Sequence, residues 1–179
     1  KRQIKLFDPI IDNNELDILN KTLKSKFWAD GSGNNQVKFF EEKFQKIIKS
    51  DFNIAVNSGT SALYLALSME DIKDKEVILP SMTFVSTAHS VITNNAKPVF
   101  ADIDLDTLCI DPDKIEESTT KSTKIILPVH FGGLSCDLTK IKKICNTNNL
   151  TLIEDAAHAA GSYYKDKPIG SHGKFVCFS

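Results

Sequence analysis

The pattern of apolar positions changes character near residue 53. Before it, Leu16, Leu19 and Leu23 recur at helical spacing and share one face. Val37, Phe40, Phe44, Ile47 and Ile48 do the same for a second helix, with Gly31 and Gly33 in the break between the two. From Asn53 onward, short apolar runs alternate with amphipathic stretches. The pattern predicts strands over 54–57, 77–79, 98–101, 124–129, 150–154 and 174–178. Helices are predicted over 61–69, 85–93, 113–118 and 138–148. Asp111-Pro112 supplies an N-cap and a first-turn proline for the third of these, and Asp137 an N-cap for the fourth. The segment 163–169 reads as a small hairpin or lid. The fold class is α/β, a mainly parallel sheet with helices on both faces. A helical segment over 1–50 precedes a sheet-containing domain over 51–179.

Composition narrows the partners. With 22 Lys and Arg against 23 Asp and Glu, no basic surplus exists to neutralise nucleic-acid phosphates or an anionic membrane. The lysines around 21–26 and 140–143 are interrupted by apolar residues and read as solvated helix faces. No signal peptide or membrane-length apolar run is visible, and Cys109, Cys136, Cys145 and Cys177 show no pairing motif. The expectation is a cytoplasmic protein with reduced thiols. The four histidines are scattered, so no metal is expected. The chain starts at Lys rather than Met, from which a processed, trimmed or partial chain is expected.

Polar residues collect after the strands, the edge at which open α/β sheets bind ligands. Asn57-Ser58-Gly59-Thr60-Ser61 opens a helix, where a tight glycine turn, free N–H groups and the Thr60 and Ser61 hydroxyls would cradle a phosphate. A plain turn with Ser58 as N-cap is the alternative. Phe84 follows the second strand, either stacking on a planar ring for roughly 1 kcal/mol or plugging the core. Asp155 ends the fifth strand and an alanine-rich, helix-compatible segment follows. Its carboxylate could bond a protonated pyridine nitrogen, or cap that helix. His158, one helical turn on, could orient a ring hydroxyl or Asp155, or be structural. His130 sits at the same edge, where a supporting role suits it better than catalysis; His89 and His172 read as structural.

In order and spacing, Asn57-Ser-Gly-Thr-Ser-Ala62, Leu79-Pro-Ser-Met-Thr-Phe-Val-Ser-Thr87, Pro98-Val-Phe-Ala-Asp-Ile-Asp104, Ile153-Glu-Asp-Ala-Ala-His158 and Cys177-Phe-Ser179 resemble the DegT, DnrJ, EryC1 and StrS family of sugar aminotransferases. That resemblance implies the large domain of a fold-type I pyridoxal phosphate enzyme, a homodimer when full length. It implies amino transfer from an amino acid, commonly glutamate, to a nucleotide-linked keto sugar, for polysaccharide or secondary-metabolite synthesis. Gly59, Thr60, Ser61 and Ser179 then match phosphate ligands, Phe84 the stacking aromatic, Asp155 the pyridine-nitrogen partner and His158 the side chain beside the ring hydroxyl. Asp155 and His158 would be the catalytic pair within these residues. The Trp28–Gly31 turn resembles a segment near the sugar-nucleotide site.

The family's Schiff-base lysine would fall at position 184, five residues past Ser179, and Lys165, Lys167 and Lys174 do not match it. Members are about twice as long, and a later strand of theirs lies between the first strand and the one carrying the serine. The resemblance therefore implies an N-terminal portion, inactive alone, with a gap in its sheet. Gly173-Lys174 departs from the family's usual Gly-Asp. A sugar dehydratase of the same family, with histidine at position 184, and a non-catalytic module of this fold are the alternatives.

Overall fold

The computed structural model describes residues 8–26 and 36–179. The chain divides into two compact units, residues 1–43 and 44–179. In the first, helix α1 (Asn13–Ser25) begins with a reciprocal capping box between Asp12 and Glu15 and ends on Lys26 in the left-handed conformation. The face formed by Leu16, Leu19 and Leu23 exists as expected, yet each of these side chains is more than half exposed. Helix α2 (Gln36–Ile48) starts in this unit. Gly31, Gly33 and the Trp28–Gly31 turn lie outside the described residues.

The second unit holds a five-stranded sheet. Its strands are β1 (Glu76–Pro80), β2 (Lys97–Ala101), β3 (Thr123–Ile126), β4 (Thr151–Asp155) and, after the hairpin strands β5 (Tyr163–Tyr164) and β6 (Lys167–Pro168), β7 (Phe175–Cys177). They lie in the order β2-β1-β3-β4-β7, and every ladder is parallel. Helices α3 (Gly59–Ser68), α4 (Val85–Thr93), α5 (Pro112–Ser118) and α6 (Leu138–Asn148) cover it.

Strand alternation sorts the core into two layers. Val77, Leu79, Ile125, Leu127 and Ile153 pack with Leu63 and Leu67 of α3 and Val91 of α4. Ile78, Ile126 and Leu152 pack with Ile115 of α5 and Leu138, Ile141 and Ile144 of α6. The two faces follow from handedness. From β1 the chain steps outward to β2 through α4, then reverses across β1 to β3 and β4 through α5 and α6. Right-handed crossovers in opposite directions place their helices on opposite faces. Leu67 is fully buried in α3, so Leu67→Ala should cost about 2–5 kcal/mol, read as a lower denaturant midpoint.

Caps behave as their residue types dictate. Asp111 accepts the Asp113 N–H at 2.9 Å, with Pro112 in the first turn of α5, and Asp137 accepts the Lys140 N–H at 3.1 Å. The 163–169 segment is an antiparallel hairpin turning through Lys165, whose φ is 55°.

Two expected elements differ. Residues 54–57 belong to neither sheet. A strand exists only through its ladder, and this segment faces β7 across a cleft of about 700 Å³ lined by Phe52, Ile54, Val56, Phe175 and Val176. The alanine-rich stretch after Asp155 is two tight turns rather than a helix. Ala159 N–H bonds the Ala156 carbonyl and Ser162 N–H the Ala159 carbonyl, both three residues back. Ala156 and Ala159 are fully buried against the sheet, and that close approach overrides their helical propensity.

Burial also sets a pH limit. The Cys145 thiol is pushed up to about 11 and the Cys177 thiol to about 12, chiefly by loss of water. Their unfolded counterparts ionise at about 8.5, so the folded state holds protons that the unfolded state releases. Stability should fall as pH rises from about 9 toward 12, read as a declining melting temperature, with little contribution from these thiols below pH 8.

Candidate cofactor site

The carboxyl ends of β1, β4 and β7 and the start of α3 gather the polar residues singled out in the sequence. Ser58 caps α3 by accepting the Ser61 N–H at 3.1 Å, while the Ser61 hydroxyl donates to Asn57 Oδ1 at 2.6 Å. The plain-turn reading of this segment is therefore met. It leaves other first-turn N–H groups of α3 without intrahelical partners, at the positive end of the helix. Thr60 and Ser179 are exposed beside them.

Gly59 and Ser179 are neighbours. A Cβ at Gly59 would lie 2.7 Å from Ser179 Cβ and 3.0 Å from its Oγ, so only glycine admits this approach. A neighbouring bond ties the same corner to β4, where the Ala156 N–H donates to the Cys177 carbonyl at 2.7 Å.

Asp155 is the last residue of β4 and is 5% exposed. Its Oδ2 accepts the Thr87 hydroxyl at 2.8 Å and its Oδ1 the Ala157 N–H at 3.2 Å. The second bond is the cap-like turn that the sequence offered as an alternative, without a helix to cap. Thr87, fully buried in α4, is itself 2.7 Å from the Thr83 hydroxyl. Thr87 is not singled out by sequence reasoning, because a threonine mid-helix carries no signal for a partner 68 residues away.

Phe84 is the N-cap of α4, one turn before Thr87 and on the same side of that helix. It is 75% exposed, which excludes the core-plug alternative. Phe84→Ala should therefore leave the melting temperature unchanged and weaken binding of a stacked ring about fivefold, measurable by cofactor titration.

His158 sits in the turn after β4 rather than on the expected helix. Its Nδ1 accepts the Gly132 N–H at 3.2 Å, and its ring meets Phe131 edge-on at 6.0 Å. His130 is fully buried and bonds Glu154 at 2.8 Å. His172 ring lies edge-on to Tyr164, and burial holds its imidazole below the usual range. Lys165 Nζ donates to Thr139 at 2.8 Å and Lys174 Nζ pairs with Glu70 at 2.5 Å, so neither stands among the gathered residues.

A family model for DegT/DnrJ/EryC1/StrS aminotransferases matches residues 9–179. The chain belongs to that family. It is 43% identical over 172 residues to the spore coat polysaccharide biosynthesis protein SpsC of Bacillus subtilis, covering 96% of this chain and 43% of that protein. It is 39% identical over 169 residues to L-glutamine:2-deoxy-scyllo-inosose aminotransferase of Streptomyces kanamyceticus, covering 92% of this chain and 40% of that one. Spr1654 of Streptococcus pneumoniae, solved in its PLP form, superposes with a TM-score of 0.89 at 30% identity, covering 99% of this chain and 49% of that chain. The chain thus spans less than half the length of these relatives.

The family's cofactor is pyridoxal phosphate. The residues gathered here fit its parts: a helix start with a glycine-only approach for a phosphate, an exposed aromatic for a ring, and a buried carboxylate with spare acceptor sites for a ring nitrogen. Among the described residues no helix is long and apolar enough to cross a membrane.

Proposed function

We propose that the full-length protein carrying these residues is a pyridoxal phosphate-dependent sugar aminotransferase. It moves an amino group from an amino acid to a nucleotide-linked keto sugar, as a homodimer. The observation that carries this reading is Asp155, held through Thr87 at the foot of the exposed Phe84 and at the edge where Gly59 meets Ser179. Family membership over nearly the whole chain supports it.

When bound, the cofactor supplies an electron sink through which an amino group can pass between an amino acid and a ketone. Asp155 would keep a proton on the ring nitrogen by a charge-assisted hydrogen bond, and the Thr87 hydroxyl would hold the carboxylate in place. The α3 N-terminus with Gly59, Thr60, Ser61 and Ser179 would bind the phosphate, and Phe84 would cover one face of the ring. His158 would stand beside the ring hydroxyl. With Nδ1 accepting the Gly132 N–H, its neutral ring carries the proton on Nε2 and can donate there. The lysine that shuttles the proton is assigned to the family position five residues past Ser179, and to none of Lys165, Lys167 or Lys174.

The amino donor is proposed as glutamate or glutamine, the latter because a relative at 39% identity is named for L-glutamine. The test incubates full-length protein with pyridoxal phosphate, a nucleotide-linked keto sugar and either donor, then looks for the amino sugar by mass spectrometry. An amino sugar with stoichiometric keto acid supports the reading. Loss of water from the sugar without gain of nitrogen would replace transfer by dehydration.

A further inference from the structure

Asp155 and Glu154 are adjacent on β4, and strand alternation sends them to opposite faces of the sheet. Asp155 meets α4, whereas Glu154 meets His130, and both members of this second pair are 0% exposed. Burying a carboxylate costs several kcal/mol unless its partners are well placed, and among the described residues Glu154 Oε1 has no hydrogen-bond partner. An apolar pair of similar volume would be the cheaper filling, so stability does not account for the arrangement.

Geometry does. His130 Nδ1 accepts the Cys136 N–H at 3.1 Å, so in the neutral ring the proton is on Nε2 and is donated to Glu154 Oε2 at 2.8 Å. One imidazole thereby ties β4 to both ends of the 130–136 loop. The main chain of His130 adds a bond from its N–H to the Asp155 carbonyl at 3.1 Å. Inside this loop Gly132, at φ +60°, donates its N–H to His158 Nδ1. Gly133 sits so close that a Cβ there would come within 2.9 Å of the His158 carbonyl, and its own carbonyl accepts the Ser162 hydroxyl at 2.8 Å. His158 is thus held by a loop whose seat is fixed by the Glu154–His130 pair.

We infer that Glu154 and His130 are positioning residues of the cofactor site, setting the seat of the 130–133 turn and through it the tautomer and orientation of the His158 ring. The consequence for the cofactor rests on the functional reading above, whereas the effect on His158 does not.

The test uses His130→Gln in the full-length protein. Gln can still donate to Glu154 but offers the Cys136 N–H no acceptor in the place of Nδ1. In the cofactor-free protein, nitrogen chemical shifts of His158 should move from one Nε2–H tautomer to a mixture. Affinity for pyridoxal phosphate should fall roughly fivefold to tenfold, the scale of one lost hydrogen bond. An unchanged His158 tautomer in the folded variant overturns the inference. Should that variant not fold, hydrogen exchange in the wild-type protein decides. Gly132 and Cys136 N–H exchanging slowly and at one shared rate is the expected result. Fast exchange at Gly132 beside a protected Cys136 refutes it. Wild-type protein that takes up no pyridoxal phosphate would sink the functional reading, while the His158 shifts would still decide the positioning.

Discussion

Asp155→Ala in the full-length protein is expected to lower turnover by about two to three orders of magnitude while leaving a folded protein. The scale follows from asking one charge-assisted bond in a dry site to hold the ring nitrogen protonated through the reaction, worth roughly 3–4 kcal/mol of barrier. The fold should survive because alanine leaves only two bonds unmade, to Thr87 and to the Ala157 N–H. Thr87 retains the Thr83 hydroxyl at 2.7 Å, so it is not stranded. Steady-state kinetics beside a thermal melt separates the two effects. Turnover within tenfold of wild type would remove Asp155 from the role proposed for it.

The second large effect is expected at Gly59. Its substitution by alanine places a methyl carbon 2.7 Å from Ser179 Cβ, nearer than such atoms come without something shifting. The helix start or the Ser179 segment must then yield. Both are the groups assigned to the phosphate, so pyridoxal phosphate affinity should fall by about tenfold to a hundredfold. That loss equals about 1.4–2.8 kcal/mol. Equilibrium titration of the cofactor-free protein reads it directly. Unaltered affinity in Gly59→Ala would show that the Gly59–Ser179 corner does not hold the phosphate.

The α/β architecture was legible because apolar runs such as Val77-Ile78-Leu79 and Leu152-Ile153 are buried on both faces and leave a near-continuous hydrophobic signal. Caps at Asp111 and Asp137 were legible because their partners lie two and three residues away. What the sequence concealed depends on distant partners. Residues 54–57 read as a strand from composition, but a ladder is a property of two segments. The turns after Asp155 follow from Ala156 and Ala159 lying against the sheet, which no local pattern encodes.

The same division holds at the site. Gly59, Thr60, Ser61, Phe84, Asp155 and Ser179 stood out as polar, glycine or aromatic residues at strand ends, and the fold gathers them at one sheet edge. Thr87 did not, because its contact spans 68 residues. Glu154 was hidden beside Asp155, since only a folded sheet shows that the two carboxylates face opposite sides. His158 reads as helical from the sequence but lies in a turn, where it bonds Gly132, a partner in a loop 26 residues earlier.

Absorbance spectra of the full-length protein and of Asp155→Asn, each titrated with pyridoxal phosphate and then with glutamate or glutamine, decide whether Asp155 serves a bound pyridoxal phosphate ring. Wild type is expected to shift the cofactor's absorbance on binding and again on adding the donor. The variant is expected to bind with a displaced pH dependence of that absorbance and to respond to the donor at least a hundredfold more slowly. Identical spectra and donor responses in the two proteins would contradict the account.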